Sequence, residues 1–138
     1  ASSTKTYMDY RAITAKNSPQ YQYIHNYMQV CEDGFLRDED GFIGVALGSY
    51  FGAVGSKYEF VLDSGITLPL IKIEEKSDSD TTYGFYHNSD GSVIEFVIDS
   101  NCAAMQKNRW PNGLIWSGNF NNCSEFQGKI TAIWSVTE

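Results

Sequence analysis

Three carboxylates, Glu74, Asp78 and Glu95, are the side chains of this sequence best suited to move a proton. Breaking a glycosidic bond requires protonating the departing oxygen, and one carboxylic acid does this when burial or a neighbouring like charge raises its pKa. Hydrolysis needs two carboxylates at a set separation, whereas in transglycosylation a hydroxyl of the sugar itself attacks, so one acid suffices. Glu95 is the most informative of the three, because it interrupts the apolar run Val93 to Ile98. An ionisable group there has a partner, a task, or the wet face of an edge strand. The competing reading of Glu74, Asp78 and nearby Asp80 is solvated surface.

Other chemistries have less to work with. His25 and His87 are the only histidines, and neither stands at metal-motif spacing or near a Gly-x-Ser-x-Gly elbow. Each reads as an ordinary surface or hydrogen-bonding histidine. Cysteines at 31, 102 and 123 form no CxxC pair and no zinc spacing; Cys102 and Cys123 bracket a 22-residue loop that a disulfide could close in an oxidising compartment. Asp38-Glu39-Asp40-Gly41 lacks the closing glutamate of a calcium loop and reads as a turn. No cofactor and no metal are called for. Tyr83, Tyr86 and Trp110, with Phe85 and Trp116, offer flat faces of the kind that stack on sugar rings, whereas Trp134 reads as core from its alternation.

These groups must be positioned by strands. Few segments carry a 3.6-residue apolar period, and aromatics make up 14% of the chain, which favours β structure. Residues 42–47 read as a buried strand, 57–62 as the next, and Asp63-Ser64-Gly65 as a tight hairpin turn. Residues 66–74 follow, with an edge or bulge at Pro69. Residues 92–99 place Ile94, Phe96 and Ile98 opposite Val93, Glu95 and Val97; residues 129–136 place Ile130, Ala132, Trp134 and Val136 on one face. Two long connections, 75–91 and 101–128, are where a site on a β scaffold would lie. Residues 7–26 read either as an extended arm or as a short helix.

The chain has 138 residues, enough for one domain with its own core, read as a flexible leader over 1–6 and a single β domain over 7–138. Ten Lys and Arg against 17 Asp and Glu give a net charge of −7, with no basic cluster. Nucleic acid is therefore an unsuitable partner. Acidic character also disfavours anionic lipid, and no apolar run has the roughly 20 residues of a membrane span.

The order Val45-Ala46-Leu47-Gly48-Ser49-Tyr50-Phe51-Gly52, then Val54-Gly55-Ser56-Lys57-Tyr58, a strand, an Asp-Ser-Gly turn and a further strand resembles the RlpA-like and 3D-type double-psi β-barrel domains of Gram-positive bacterial and phage cell-wall proteins. The resemblance covers residues 28 to 99 and, more loosely, 128 to 136. It implies a mainly β fold: a six-stranded double-psi β-barrel with long loops and one or two short helices. It also implies a secreted, extracellular or cell-wall-associated protein acting on peptidoglycan or another polysaccharide, as lytic transglycosylases do. By position, Glu74 carries over as the general acid and base, with Glu75 as the register alternative and Glu95 as the second recurrent carboxylate. Of the three aspartates that give 3D domains their name, the first falls near Gly48 here, and the other two positions hold Glu. A non-catalytic glycan-binding barrel and a structural or interaction barrel stand beside the catalytic expectation.

Overall fold

The computed structural model describes residues 2–106, 115 and 118–137. The described chain is mainly β, with short helices. Its strands are β1 (Thr6–Asp9), β2 (Gln29–Val30), β3 (Leu36–Arg37), β4 (Ile43–Leu47), β5 (Lys57–Leu62), β6 (Thr67–Glu75), β7 (Thr81–Thr82), β8 (Tyr86–His87), β9 (Glu95–Ile98) and β10 (Ile130–Val136). Helix α1 spans Pro19–Tyr27 and α2 spans Ala103–Gln106.

One mixed sheet runs in the order β1-β9-β4-β6-β5-β10, with β3 pairing β4 and β2 pairing β3 off that path; β7 and β8 form a separate small hairpin. Two pairs are parallel, β1 with β9 and β4 with β6, and the antiparallel contact of β9 with β4 joins them. Among the described residues no ladder joins β1 to β10, so the sheet is not a closed barrel. Residues 119–128 fill the interval. Phe120 N–H donates to Lys5 O at 2.8 Å, and Lys5 Nζ donates to Gly128 O at 2.8 Å and to Asn121 Oδ1 at 3.0 Å.

Both faces of the central strands are covered, which is why β4 reads as an unbroken apolar run rather than an alternating one. One face packs Phe35, Val45, Leu47, Phe51, Phe60, Leu70, Phe96 and Phe120 into the larger core. The other packs Leu36, Ala46, Ile71, Ile73 and Val97 beneath Ile13 and Ile24. Ile24 comes from α1, whose start is set by Ser18: its Oγ accepts from Tyr21 N–H at 3.1 Å, with Pro19 in the first turn. The ambiguous segment 7–26 thus resolves into a strand, a 3₁₀ turn and a helix.

The β5–β6 hairpin turns at Asp63-Ser64-Gly65 as expected, with Gly65 at φ 92° and Leu62 N–H donating to Ile66 O at 2.8 Å. Pro69 pairs with Glu59 of β5, while the pairing of β6 with β4 starts only at Leu70. No ladder is lost at the proline, because β6 is locally an edge there. The irregularity of β6 lies elsewhere, opposite the Val45/Ala46 step of β4.

Three expectations need correction or refinement. Trp134 is 63% exposed rather than core. A register shift between Ile130 and Ala132 inserts one residue and reverses the phase of β10, so Ile133 joins Ile130 against the main core. The segment read as a flexible leader, residues 1–6, is anchored at its end, since Lys5 is 2% exposed and Thr6 opens β1. Cys102 and Cys123 are not bridged; Cys123 is a buried thiol of the main core.

Burial lowers the Lys5 pKa to about 8, with the Asp63 charge pulling the other way. A lysine that binds its proton less tightly when folded than when unfolded makes folding more favourable as pH rises through the interval between the two pKa values. From pH 8 to 10.5, the urea stability of the wild-type chain should therefore rise relative to a Lys5→Met variant. A difference that stays flat across that interval would show that Lys5 titrates as an exposed lysine.

Candidate functional site

Ala46 of β4 is the register partner of two carboxylates at once: Glu74 of β6 on one side and Glu95 of β9 on the other. Partners across a sheet point to the same face, so Glu74, Ala46 and Glu95 form a row, with the smallest side chain in the middle. At ~4.8 Å per strand, the two glutamates stand roughly 10 Å apart at Cα, with a gap over Ala46 between them.

A bulge produces this row. Val45 pairs with Lys72 and Ala46 with Glu74, so Ile73 is the extra residue on β6. Ile73 stays buried in the second core, and Glu74 beside it is only partly buried. Without the inserted residue Ile73 would pair with Ala46 and Glu74 would turn to the opposite face; the bulge re-aims Glu74 towards Glu95.

The gap is a groove of about 200 Å³ floored by Ala46 and Met8 and walled by Glu74, Glu95, Lys76, Asp80 and His87. Glu74 Oε1 accepts from Gln20 Nε2 at 2.8 Å and from Glu75 N–H at 2.9 Å, so α1 and the β6 backbone fix its orientation. Lys76 is buried and donates to Val93 O at 3.0 Å. Burial pulls its pKa below the ordinary lysine value, and the charges of Glu95 and Asp90 oppose that shift. Burial works to raise the Asp90 pKa, but the hydrogen bonds from Ser92 outweigh it and hold the carboxyl below its usual range. His87 Nδ1 accepts from Ser89 N–H at 3.2 Å and contacts Ser89 Oγ at 2.8 Å. In the neutral ring the proton therefore sits on Nε2.

Glu74 and Glu95 are thus brought together, and the edge-strand explanation of Glu95 fails because β9 has β1 on one side and β4 on the other. Asp78 does not join them. It sits on a 3₁₀ turn, is not among the groove walls, and accepts from Ser49 Oγ at 2.6 Å. Glu75 lines the groove, but its Oε1 is held at 2.8 Å by the buried ammonium of Lys72, which separates its role from that of Glu74. Tyr83 stands at the tip of the β7–β8 hairpin, 87% exposed and at φ 59°. Tyr86 is half-buried with its ring edge-on to Phe85. Trp110 and Trp116 lie outside the described residues.

The reading by residue type missed His87, Lys76, Asp80 and Gln20 as members of the site. Lys76 lies between Glu74 and Asp78 and Asp80 follows two residues later, which is a usable signal. His87 closes a hairpin, and Gln20 arrives from a helix 54 residues away, so neither has a local signature.

The hairpin that carries His87 docks on the end of β4. Tyr50 N–H donates to Gly84 O at 3.2 Å, and a Cβ at Gly48 would collide with that same carbonyl. Position 48 is therefore closed to any side chain while the hairpin is seated. Among the described residues, no group of three or more His, Cys, Asp or Glu is placed to hold a metal ion. No family model, no curated protein and no solved structure matches the chain.

Two measurements check this geometry. Gly48→Ala should unseat the hairpin, lowering stability by about 1–3 kcal/mol in chemical denaturation and increasing amide exchange over residues 81–87. In a ¹³C NMR titration of the lysine Cε resonances, Glu95→Gln should move the Lys76 midpoint further down, since it removes an anion that favours the ammonium. An unmoved midpoint would mean that the two side chains do not face each other.

Proposed function

We propose that the groove between Glu74 and Glu95 is a glycan-cleaving centre of lytic-transglycosylase type, acting on peptidoglycan in the bacterial cell wall, outside the cell. The observation that carries this reading is the row Glu74-Ala46-Glu95, which brings two carboxylates over one open groove. The parallel pairs β1/β9 and β4/β6, joined through β9 and β4, support an incompletely closed double-psi arrangement. Strands β4, β6 and β9 fall within residues 28 to 99, the span of the resemblance, and β1 falls outside it.

In this reading Glu74 donates a proton to the leaving glycosidic oxygen and then takes one from the sugar hydroxyl that attacks the anomeric carbon, so no water is consumed. Gln20 holds the carboxyl in place from α1. Glu95, across the groove, stabilises the positive charge that develops on the sugar ring. His87, with Nε2–H available, is positioned to bind a sugar hydroxyl or acetamido carbonyl.

A second reading, a glycan-binding barrel without catalysis, draws on one observation: Asp78 is tied to Ser49 and contributes nothing to the groove. The two readings separate on one experiment. Purified protein incubated with peptidoglycan sacculi should release anhydro-muropeptides detectable by mass, Glu74→Gln should reduce release at least 100-fold with an unchanged melting temperature, and Asp78→Asn should release as wild type does. Retention on sacculi without release selects the binding barrel. Equal release by wild type and Glu74→Gln rejects Glu74 as the acid.

A further inference from the structure

The side chain of Lys5 is held at three points: Nζ donates to Ser3 O at 2.9 Å, to Gly128 O at 2.8 Å and to the carboxamide oxygen of Asn121, Oδ1, at 3.0 Å. All three acceptors are amide carbonyls. Only at Asn121 would replacing the amide nitrogen release ammonia alone and leave the main chain whole. The backbones around the two groups are locked in register. Lys5 N–H donates to Asn119 Oδ1 at 3.1 Å, Phe120 N–H donates to Lys5 O at 2.8 Å, and Asn121 N–H donates to Asn119 Oδ1 at 3.0 Å. Phe120 is fully buried in the main core, so the turn Phe120–Asn122 cannot drift from Lys5 without unpacking it.

These contacts supply the parts of an acyl transfer. The nucleophile is an amine that burial strips of water and holds at a pKa of about 8, with the charge of Asp63 opposing. A large neutral fraction is therefore present at mildly alkaline pH. The electrophile is Cγ of Asn121; with a carbonyl bond of ~1.23 Å, Nζ lies no more than roughly 4.2 Å from it, a small side-chain rotation from attack distance. The oxygen that takes up negative charge on attack is Oδ1. It already accepts the Gly128 N–H at 2.8 Å, the separation at which a backbone donor stabilises an oxyanion. Asp63 is close by, since a Cβ built on Gly128 would come within 2.8 Å of Asp63 Oδ1. Its carboxylate is placed to carry a proton from the amine to the departing nitrogen.

We propose that Lys5 and Asn121 condense autocatalytically into an isopeptide bond, which ties the entry of β1 covalently to the segment that precedes β10. The Lys5 nitrogen forms a bond to Cγ, the bond from Cγ to Nδ2 breaks, and one proton of the amine leaves with Nδ2 as ammonia. No oxidant, nucleotide or other reactant is consumed. Loss of ammonia to solvent draws the reaction forward, and burial of the new amide keeps water from reversing it. The bond falls in the interval between β1 and β10 that residues 119–128 occupy. The free amine titrates near pH 8, whereas the linked nitrogen is an amide and does not titrate. The inference does not rest on the glycan-cleaving reading.

The test is the intact mass of the whole chain, measured on purified protein and again after one week at pH 9, above the Lys5 pKa of about 8. The wild type should be lighter by one ammonia, on purification or after ageing. Tandem mass spectrometry of its digest should find a branched peptide joining Lys5 to Asn121. Asn121→Asp offers the same ammonium a carboxylate, from which an amine displaces nothing, and should keep its full mass while remaining folded by circular dichroism. Asp63→Asn keeps an acceptor for the Lys129 N–H and should condense at least tenfold more slowly. Equal rates in wild type and Asp63→Asn would overturn the part given to Asp63. A wild-type mass still full after ageing, an ammonia loss that Asn121→Asp shares, or a branched peptide mapped to another pair would each overturn the inference itself, leaving Lys5 a buried ammonium.

Discussion

Placing two residues of β6, Ile73 and Glu74, against the single residue Ala46 of β4 is the constraint on which the site depends. A strand buried on both faces has no natural position for a carboxylate, because each residue points into one core or the other. The inserted residue resolves this conflict. Ile73 keeps its place beneath α1, Lys72 keeps its place towards Gly48 and Gly52, and Glu74 emerges beside the wall of the groove. Glu95 needs no such device, since its strand has only just begun and its side chain shares the Ala46 face near the rim.

The second dependence is on absent side chains. Gly48 ends β4 where the backbone carbonyl of Gly84 lies against it, and Gly84 itself has φ 66° with the Ser49 hydroxyl close by. This contact seats the hairpin that brings His87 to the groove, with Asp80 on the 3₁₀ turn just before it. Close approach of two backbones is a steric requirement that only glycine meets at both positions. A side chain at position 48 and a hairpin seated on Gly48 are therefore mutually exclusive.

Legibility in the sequence followed the range of the interactions. The strands 43–47, 57–62 and 67–75 and the turn at 63–65 were readable because apolar run, alternation and turn chemistry are local. Glu95 could be singled out because its neighbours are apolar. Trp134 misled because one inserted residue reverses a period-2 pattern, and nothing in ITAIWSV marks where the insertion falls. Gln20 and His87 were illegible for a different reason: their place in the site comes from docking α1 and a hairpin onto the sheet, which the residues flanking them do not encode.

The cations of this acidic chain are also placed in a way composition conceals. Lys5, Lys72 and Lys76 are all buried, and each ammonium ends on backbone carbonyls: Lys5 on Ser3 and Gly128, Lys72 on Gly48 and Gly52, Lys76 on Val93. They act as internal staples, tying strand ends to loops through backbone carbonyls. Positive charge used in this way is withdrawn from the surface, so the exterior is more uniformly acidic than a net −7 conveys. An approaching polyanion meets that field, while an uncharged ligand does not.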